Sequence, residues 1–224
     1  MARFCGEERE NTMELSDEPS IRFDNVSCLF GDTRVLSDAS FVIDPDRITV
    51  FRGVNGAGKS TIVRLALGMT ERDGGDIRIG GISPEQIGSG NFPRKIFYLT
   101  QDDPTYNLTP GELFDIVLGE QGSERAFAVL DMFDTGSEIL SQTVGSLSGG
   151  ERKKVFLSLA FACEPRLMIL DEPTNSLDRS GCEVLYRLLR ERGGGCVIIT
   201  HEEELIELAS TVYEVRDGRV IYER

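Results

Sequence analysis

Two stretches of the chain combine residue types that handle phosphate. The first is Gly53-Val54-Asn55-Gly56-Ala57-Gly58-Lys59-Ser60, which fits the spacing GxxxxGK[ST]. Glycines at this spacing let backbone N–H groups curl around phosphate oxygens without Cβ clashes. A helix that starts near Lys59 adds the positive end of its dipole. In that frame Gly53, Asn55, Gly56, Ala57, Gly58 and Thr61 form the cradle. Lys59 reaches the β- and γ-phosphates, and Ser60 offers its hydroxyl to Mg²⁺. The second stretch is Asp171-Glu172, which closes the apolar run Leu167-Met168-Ile169-Leu170. A buried strand should not end in stranded charge, and the pair makes sense beside a metal ion. Asp171 can hold the metal's water shell. Glu172, one residue on, points elsewhere and can polarise a water against the γ-phosphate.

Such residues must sit at the ends of strands. From Ile21 the chain alternates, with Phe23, Val26, Cys28 and Phe30 among polar neighbours, close to period two. Gly31-Asp32 and Asp44-Pro45-Asp46 read as turns between short, mostly antiparallel strands. The run Ile48-Thr49-Val50-Phe51 then feeds the glycine-rich loop and a helix over 60–67. Further strands are expected over 76–81 and 95–100. The region of about 102–146 changes character: helical spacing over 111–120 and 124–134 marks an insertion. A helix over 149–163, the strand leading to Asp171, a helix over 183–190, the strand at 196–200 and a hairpin about Asp217-Gly218 complete the chain. Strands alternating with helices predict an α/β fold with a mostly parallel core sheet, an N-terminal antiparallel β-subdomain and a helical insertion.

Composition excludes other classes. The 24 Lys and Arg against 38 Asp and Glu give a net charge of −14, which argues against nucleic acid as a partner. The longest apolar run, Val155 to Cys163, is too short to span a bilayer, which takes about 20 residues. Five scattered cysteines without a CxxC read as free thiols of a reducing compartment, and one histidine leaves little for a zinc site. Residues 1–19 are acid-rich and read as an exposed, mobile tail ahead of a single domain over 20–224.

The stretch Leu147-Ser148-Gly149-Gly150-Glu151, just ahead of the Asp171-Glu172 strand, resembles the LSGGQ signature of the ATP-binding cassette (ABC) ATPases, with Glu in the fifth place. The other motifs of that family follow in order over residues 20–222. Phe30 looks like the aromatic residue that stacks on adenine. Gln101 looks like the glutamine that senses Mg²⁺ and water. Ser176-Leu177-Asp178 resembles the D-loop, and His201, the only histidine, the switch histidine. The resemblance implies a P-loop ABC cassette that binds ATP and Mg²⁺ and hydrolyses ATP. Lys59, Glu172, His201 and Gln101 would be its catalytic groups, and Ser60, Gln101 and Asp171 its metal groups. It also implies a second cassette subunit, homo- or heterodimeric. Ser148, Gly149, Gly150 and Asp178 of one cassette would close on the ATP of the other. Ser148 and the glycine amides make that contact, so Glu151 for Gln is expected to matter little at the phosphate. With no span of its own, the chain resembles a detached subunit on the cytoplasmic face of a membrane, powering a separate integral membrane permease. Tyr106, Leu108, Leu113 and Phe114 are candidates for the docking groove. The compact insertion, with no further domain after Arg224, tilts the expectation towards export. The alternative is a soluble cassette ATPase, for example of the iron–sulfur assembly type.

Overall fold

The computed structural model describes residues 20–31, 33–87 and 96–224. The expected acidic tail, and Asp32 of the first expected turn, lie outside the described residues.

Strands β1 (Ile21–Phe30), β2 (Thr33–Ile43) and β4 (Gly74–Ile79) form an antiparallel sheet in the order β2-β1-β4. Strand β3 (Ile48–Arg52) does not join them, although it lies between β2 and β4 in the chain. It sits inside a six-stranded sheet with β5 (Ile96–Leu99), β6 (Leu167–Asp171), β7 (Cys196–Ile199), β8 (Thr211–Arg216) and β9 (Arg219–Tyr222), in the order β5-β6-β7-β3-β8-β9. All pairs there are parallel except the terminal hairpin β8-β9. The antiparallel expectation therefore holds for β1, β2 and the hairpin but not for β3. Four consecutive buried residues of β3, Ile48 to Phe51, mark a strand covered on both faces.

Helices α1 (Lys59–Ala66), α2 (Pro84–Ile87), α3 (Pro110–Met132), α4 (Gly149–Ala162), α5 (Arg179–Arg192) and α6 (Glu203–Leu208) connect the strands. Helix α3 is broken at Gly119, whose φ of 70° and ψ of 177° split it into the two helical runs read from the spacing. Its start is fixed by a capping box, with Thr109 and Glu112 satisfying each other's backbone N–H groups. Two 3₁₀ turns, Ser137–Ser141 and Val144–Ser146, lead from α3 towards α4.

The core has two parts, one on each face of the six-stranded sheet. Leu167 and Ile169 of β6 and Val197 and Ile199 of β7 pack with α1 and the antiparallel sheet. Met168, Leu170, Cys196 and Ile198 pack with α3, α4 and α5. Alternate residues thus serve opposite faces, as the period of a strand requires. Among the described residues no helix is long and apolar enough to cross a membrane. Cys28, Cys163, Cys182 and Cys196 are free thiols.

Candidate active site

The C-terminal ends of β3, β6 and β7 point the same way, and the loops that leave them meet in one cavity of about 580 Å³, a size typical of small-molecule sites. Asn55, Gly56, Gly58, Lys59, Ser60 and Thr61 enter from the loop between β3 and α1. Asp171 and Glu172 enter from the end of β6, His201 from beyond β7, Gln101 from beyond β5 and Phe30 from the end of β1. The structure thus gathers residues spread from 30 to 201.

The loop is locked in shape. Gly53 has a φ of +144°, and a Cβ there would come within 2.3 Å of the Val215 carbonyl oxygen. Gly58 has a φ of +102°, and its Cβ would meet Val35 Cγ1 at 2.8 Å. Only glycine fits both conformations and both close approaches. Lys59 is nearly buried, and its Nζ donates to the carbonyls of Gly53 at 2.7 Å and Val54 at 3.2 Å. Helix α1 begins at Gly58 with no side-chain cap and no acidic residue in its first turn. Its leading N–H groups therefore remain available to an anion.

Asp171 is 3% exposed. One oxygen, Oδ2, lies 3.5 Å from the Tyr98 hydroxyl, while Oδ1 is buried without a hydrogen-bond partner. Burial pushes the carboxyl above its ordinary range, and the neighbouring Ser60 hydroxyl and Lys59 charge pull the other way. Asp171 in turn, after burial, drives the Tyr98 phenol up to about 12. A buried orphan carboxylate oxygen beside a serine hydroxyl fits a hard divalent cation such as Mg²⁺, which takes oxygen ligands.

Glu172 follows in a left-handed conformation, φ +46°, unusual for a residue with a side chain. Holding it costs about 1–3 kcal/mol. The bond from its N–H to the Ile199 carbonyl at 2.8 Å fixes it. The turn sends the side chain towards His201. His201 Nδ1 lies 3.4 Å from Oε1, in line for a hydrogen bond, and 3.2 Å from Oε2, out of line. The imidazole is two-thirds exposed while Glu172 is buried.

Six candidate residues do not line this cavity. Ser148, Gly149, Gly150 and Asp178 form a separate surface at the start of α4 and α5. Ser148 caps α4, and the Glu151 carboxylate takes both the Ser148 hydroxyl, at 2.6 Å, and its backbone N–H, at 2.9 Å. Those bonds, the hydroxyl's first, hold Glu151 below the usual carboxylate range. Glu151 is therefore engaged with the signature serine itself. Gly150 packs so close to Ser176 that a Cβ would come within 2.7 Å of the Ser176 carbonyl oxygen. Asp178 caps α5 by accepting from Gly181 N–H at 2.8 Å and pairs with Lys154 at 3.4 Å. Gly53 and Ala57 shape the phosphate loop from outside the cavity lining.

The four groove candidates divide. Leu113 and Phe114 are 5% and 0% exposed and belong to the core around α3. Tyr106 is exposed and Leu108 half-buried, so only these two remain at a surface. Among the cavity residues, Val35, Asn175 and Ile199 were not expected, and neither was Tyr98 beside Asp171. The signal for Asn175 lies in its place four residues after Asp171, in the turn that must carry Glu172 out of the strand. Val35 has no local signal, because a strand valine reads as core.

The model of the ABC transporter family matches residues 36–175. The fold is similar to that of an ATP-binding subunit of an ABC transporter, at 27% identity and a TM-score of 0.78, covering 89% of this chain and 87% of that one. It is also similar to a bacterial Atm1-family ABC exporter with ATP bound, at 24% identity and a TM-score of 0.78. There 91% of this chain is covered but only 38% of the exporter. A dimeric ATP-binding cassette bound to ADP and Pi in a post-hydrolysis state is similar at 22% identity and a TM-score of 0.79, covering 91% of this chain and 98% of that one. With the family model spanning more than half of its length, this chain belongs to the ABC transporter family as an ATP-binding cassette ATPase.

Proposed function

We propose that the cavity binds ATP with Mg²⁺ and hydrolyses it to ADP and phosphate, and that two cassettes close around the nucleotides to drive transport through a separate membrane subunit. The observation that carries the reading is the meeting of the phosphate loop, Asp171, Glu172, Gln101 and His201 in one cavity.

Each residue has a physical task. The N–H groups of 55–61 and the Lys59 ammonium bind the β- and γ-phosphates and offset their charge. Phe30, half exposed at the cavity rim, offers a ring face to adenine. Ser60, Asp171 and Gln101 would hold Mg²⁺, which supplies charge neutralisation on the phosphate oxygens. Glu172 orients the attacking water and takes its proton. His201, through Nδ1, holds the Glu172 carboxylate in place and leaves Nε2 for the γ-phosphate side.

Ser148, Gly149 and Gly150 form a helix start outside the chain's own cavity, and a helix start suits an anion. That placement supports a cassette pair in which each supplies this end to the other's ATP, with Asp178 shaping the interface between them. The partner is a second cassette subunit, and the work is done on an integral membrane permease at the cytoplasmic face. The compact segment 102–146 supports export as the direction.

The test is Glu172→Gln. Turnover should fall about 10²–10⁴-fold, the usual contribution of a general base, while ATP binding persists. The same variant, tagged and recovered from solubilised membranes with ATP and Mg²⁺, should carry a polytopic membrane protein in near-stoichiometric amount. Full turnover in the variant would overturn the base assignment. Recovery of soluble partners alone would overturn transport and leave a soluble cassette ATPase.

A further inference from the structure

One buried cation has no part in the chemistry above. Lys153, on the second turn of α4, is 1% exposed. Its Nζ donates to Asp103 Oδ1 at 2.9 Å and to the backbone carbonyl of Gln101 at 3.2 Å. The Asp103 side chain is 5% exposed, so both charges lie out of water. A buried ion pair is weak evidence for stability, because taking two charges out of water costs about as much as their attraction returns. Apolar side chains of similar size would pack α4 against this loop as well.

What apolar side chains would not do is bind a carbonyl. The Lys153 bond fixes the backbone of Gln101, and the Gln101 side chain enters the cavity. The opposite end of the connection is α4 itself. Lys153 lies five residues after Ser148, on the helix whose first turn carries Ser148, Gly149 and Gly150. A hydrogen bond to Gln101 and an ion pair to Asp103 thus join the helix that carries Ser148 to the loop whose Gln101 lines the cavity.

We infer that Lys153 is a positioning residue for Gln101, tying the Gln101 loop to α4 so that the Ser148 end of the helix and the Gln101 side chain move as one body. The coupling rests on the proposed reading of the cavity as a Mg²⁺–ATP site with Gln101 at the metal. Under that reading, engagement of Ser148 by a partner's nucleotide is felt at Gln101 of the same chain, without any contact between the two nucleotides.

The decisive variant is Lys153→Met with Asp103→Leu, which replaces the pair by apolar volume. Lys153→Met alone leaves Asp103 buried and unpaired and should lower Tm; the double variant should restore it. In the double variant, hydrogen exchange of the amides over 101–107 should quicken roughly tenfold or more while α3 and α4 keep their protection. Unchanged protection of 101–107 would overturn the inference. The Mg²⁺ concentration for half-maximal turnover should rise roughly tenfold in Gln101→Ala, and adding the double variant to it should raise that value no further, since residues acting through one another are not additive. Full additivity would show that Lys153 acts elsewhere and would also overturn the inference. If Gln101→Ala leaves Mg²⁺ dependence unchanged, the metal role of Gln101 fails, and the exchange measurement alone decides whether Lys153 holds the loop.

Discussion

Helices α1 and α4 both begin with glycines, yet their first turns are prepared in opposite ways. Helix α1 starts at a left-handed Gly58 with no side-chain cap, no acidic residue in its first turn and a nearly buried lysine beside it. Helix α4 starts at Ser148 with a complete capping box, and its donors are already shared with a carboxylate of its own chain. The first is preorganised for an anion. The second is stable without one, and an incoming phosphate must compete with Glu151 for Ser148. Under the proposed function, such a cassette would hold its own nucleotide at the open helix end and meet the partner subunit's at the capped one.

The contrast can be broken at either end. Gly58→Ala should have the largest effect. The left-handed position and the contact with Val35 together cost a few kcal/mol, or about 10²-fold in ATP affinity of the single chain. A fluorescent-nucleotide titration measures it, and wild-type affinity would remove the claim that the loop is locked. Glu151→Gln should act on the capped end alone. Removing the charge weakens the hold on the Ser148 hydroxyl and should tighten ATP-dependent pairing about fivefold, from about 1 kcal/mol for the charge of one exposed hydrogen bond. Sedimentation in a Glu172→Gln background reads the change, and looser pairing would show that Glu151 helps the contact. Ser148→Ala should leave ATP affinity of the single chain within about twofold but cost about 1 kcal/mol of stability as a lost cap. Calorimetry should then show Tm lower by about 2–4 °C.

The smallest effect concerns Asp178, which the Gly181 N–H, ahead of Lys154, holds below the usual carboxylate range. Because the folded value is depressed, its contribution is complete above the unfolded carboxylate pKa of about 4 and is lost as pH falls through the folded value. Asp178→Ala should therefore lower Tm at pH 7 by an amount that shrinks towards zero in acid. A gap that stayed constant down to strongly acidic pH would show that the cap does not depend on the charge.

Chemistry was more legible in the sequence than geometry. The phosphate loop and the Asp171-Glu172 pair announce themselves because their residue types are costly anywhere else. Strand β3 reads with the antiparallel set because a short run such as Ile48-Thr49-Val50-Phe51 carries no mark of its pairing partner, which lies far along the chain at β7 and β8. Helix α6 went unread because three of its six residues are glutamates and only Leu205 is buried. Lys153 was invisible for a related reason. In Glu151-Arg152-Lys153-Lys154 a lysine reads as solvated, and nothing local shows that Asp103 waits opposite it. Leu113 and Phe114 point the other way: apolar residues proposed for a groove were claimed by the core of α3. Pairings between distant segments are what a local pattern omits.

The alternation along β6 carries a consequence for mutational tolerance. Leu167 and Ile169 serve one half of the core, Met168 and Leu170 the other, and Asp171 ends the strand before Glu172 turns out of it. Deleting one residue within 167–171 would exchange the two faces, bury the wrong side chains and move Asp171 and Glu172 out of place in a single step. Substitutions there can be graded in size, but a change of length cannot. A scan of single-residue insertions and deletions should therefore show a sharp intolerant window at β6, whereas the surface turns of the insertion, such as that around Gly136, should accept added residues with little loss.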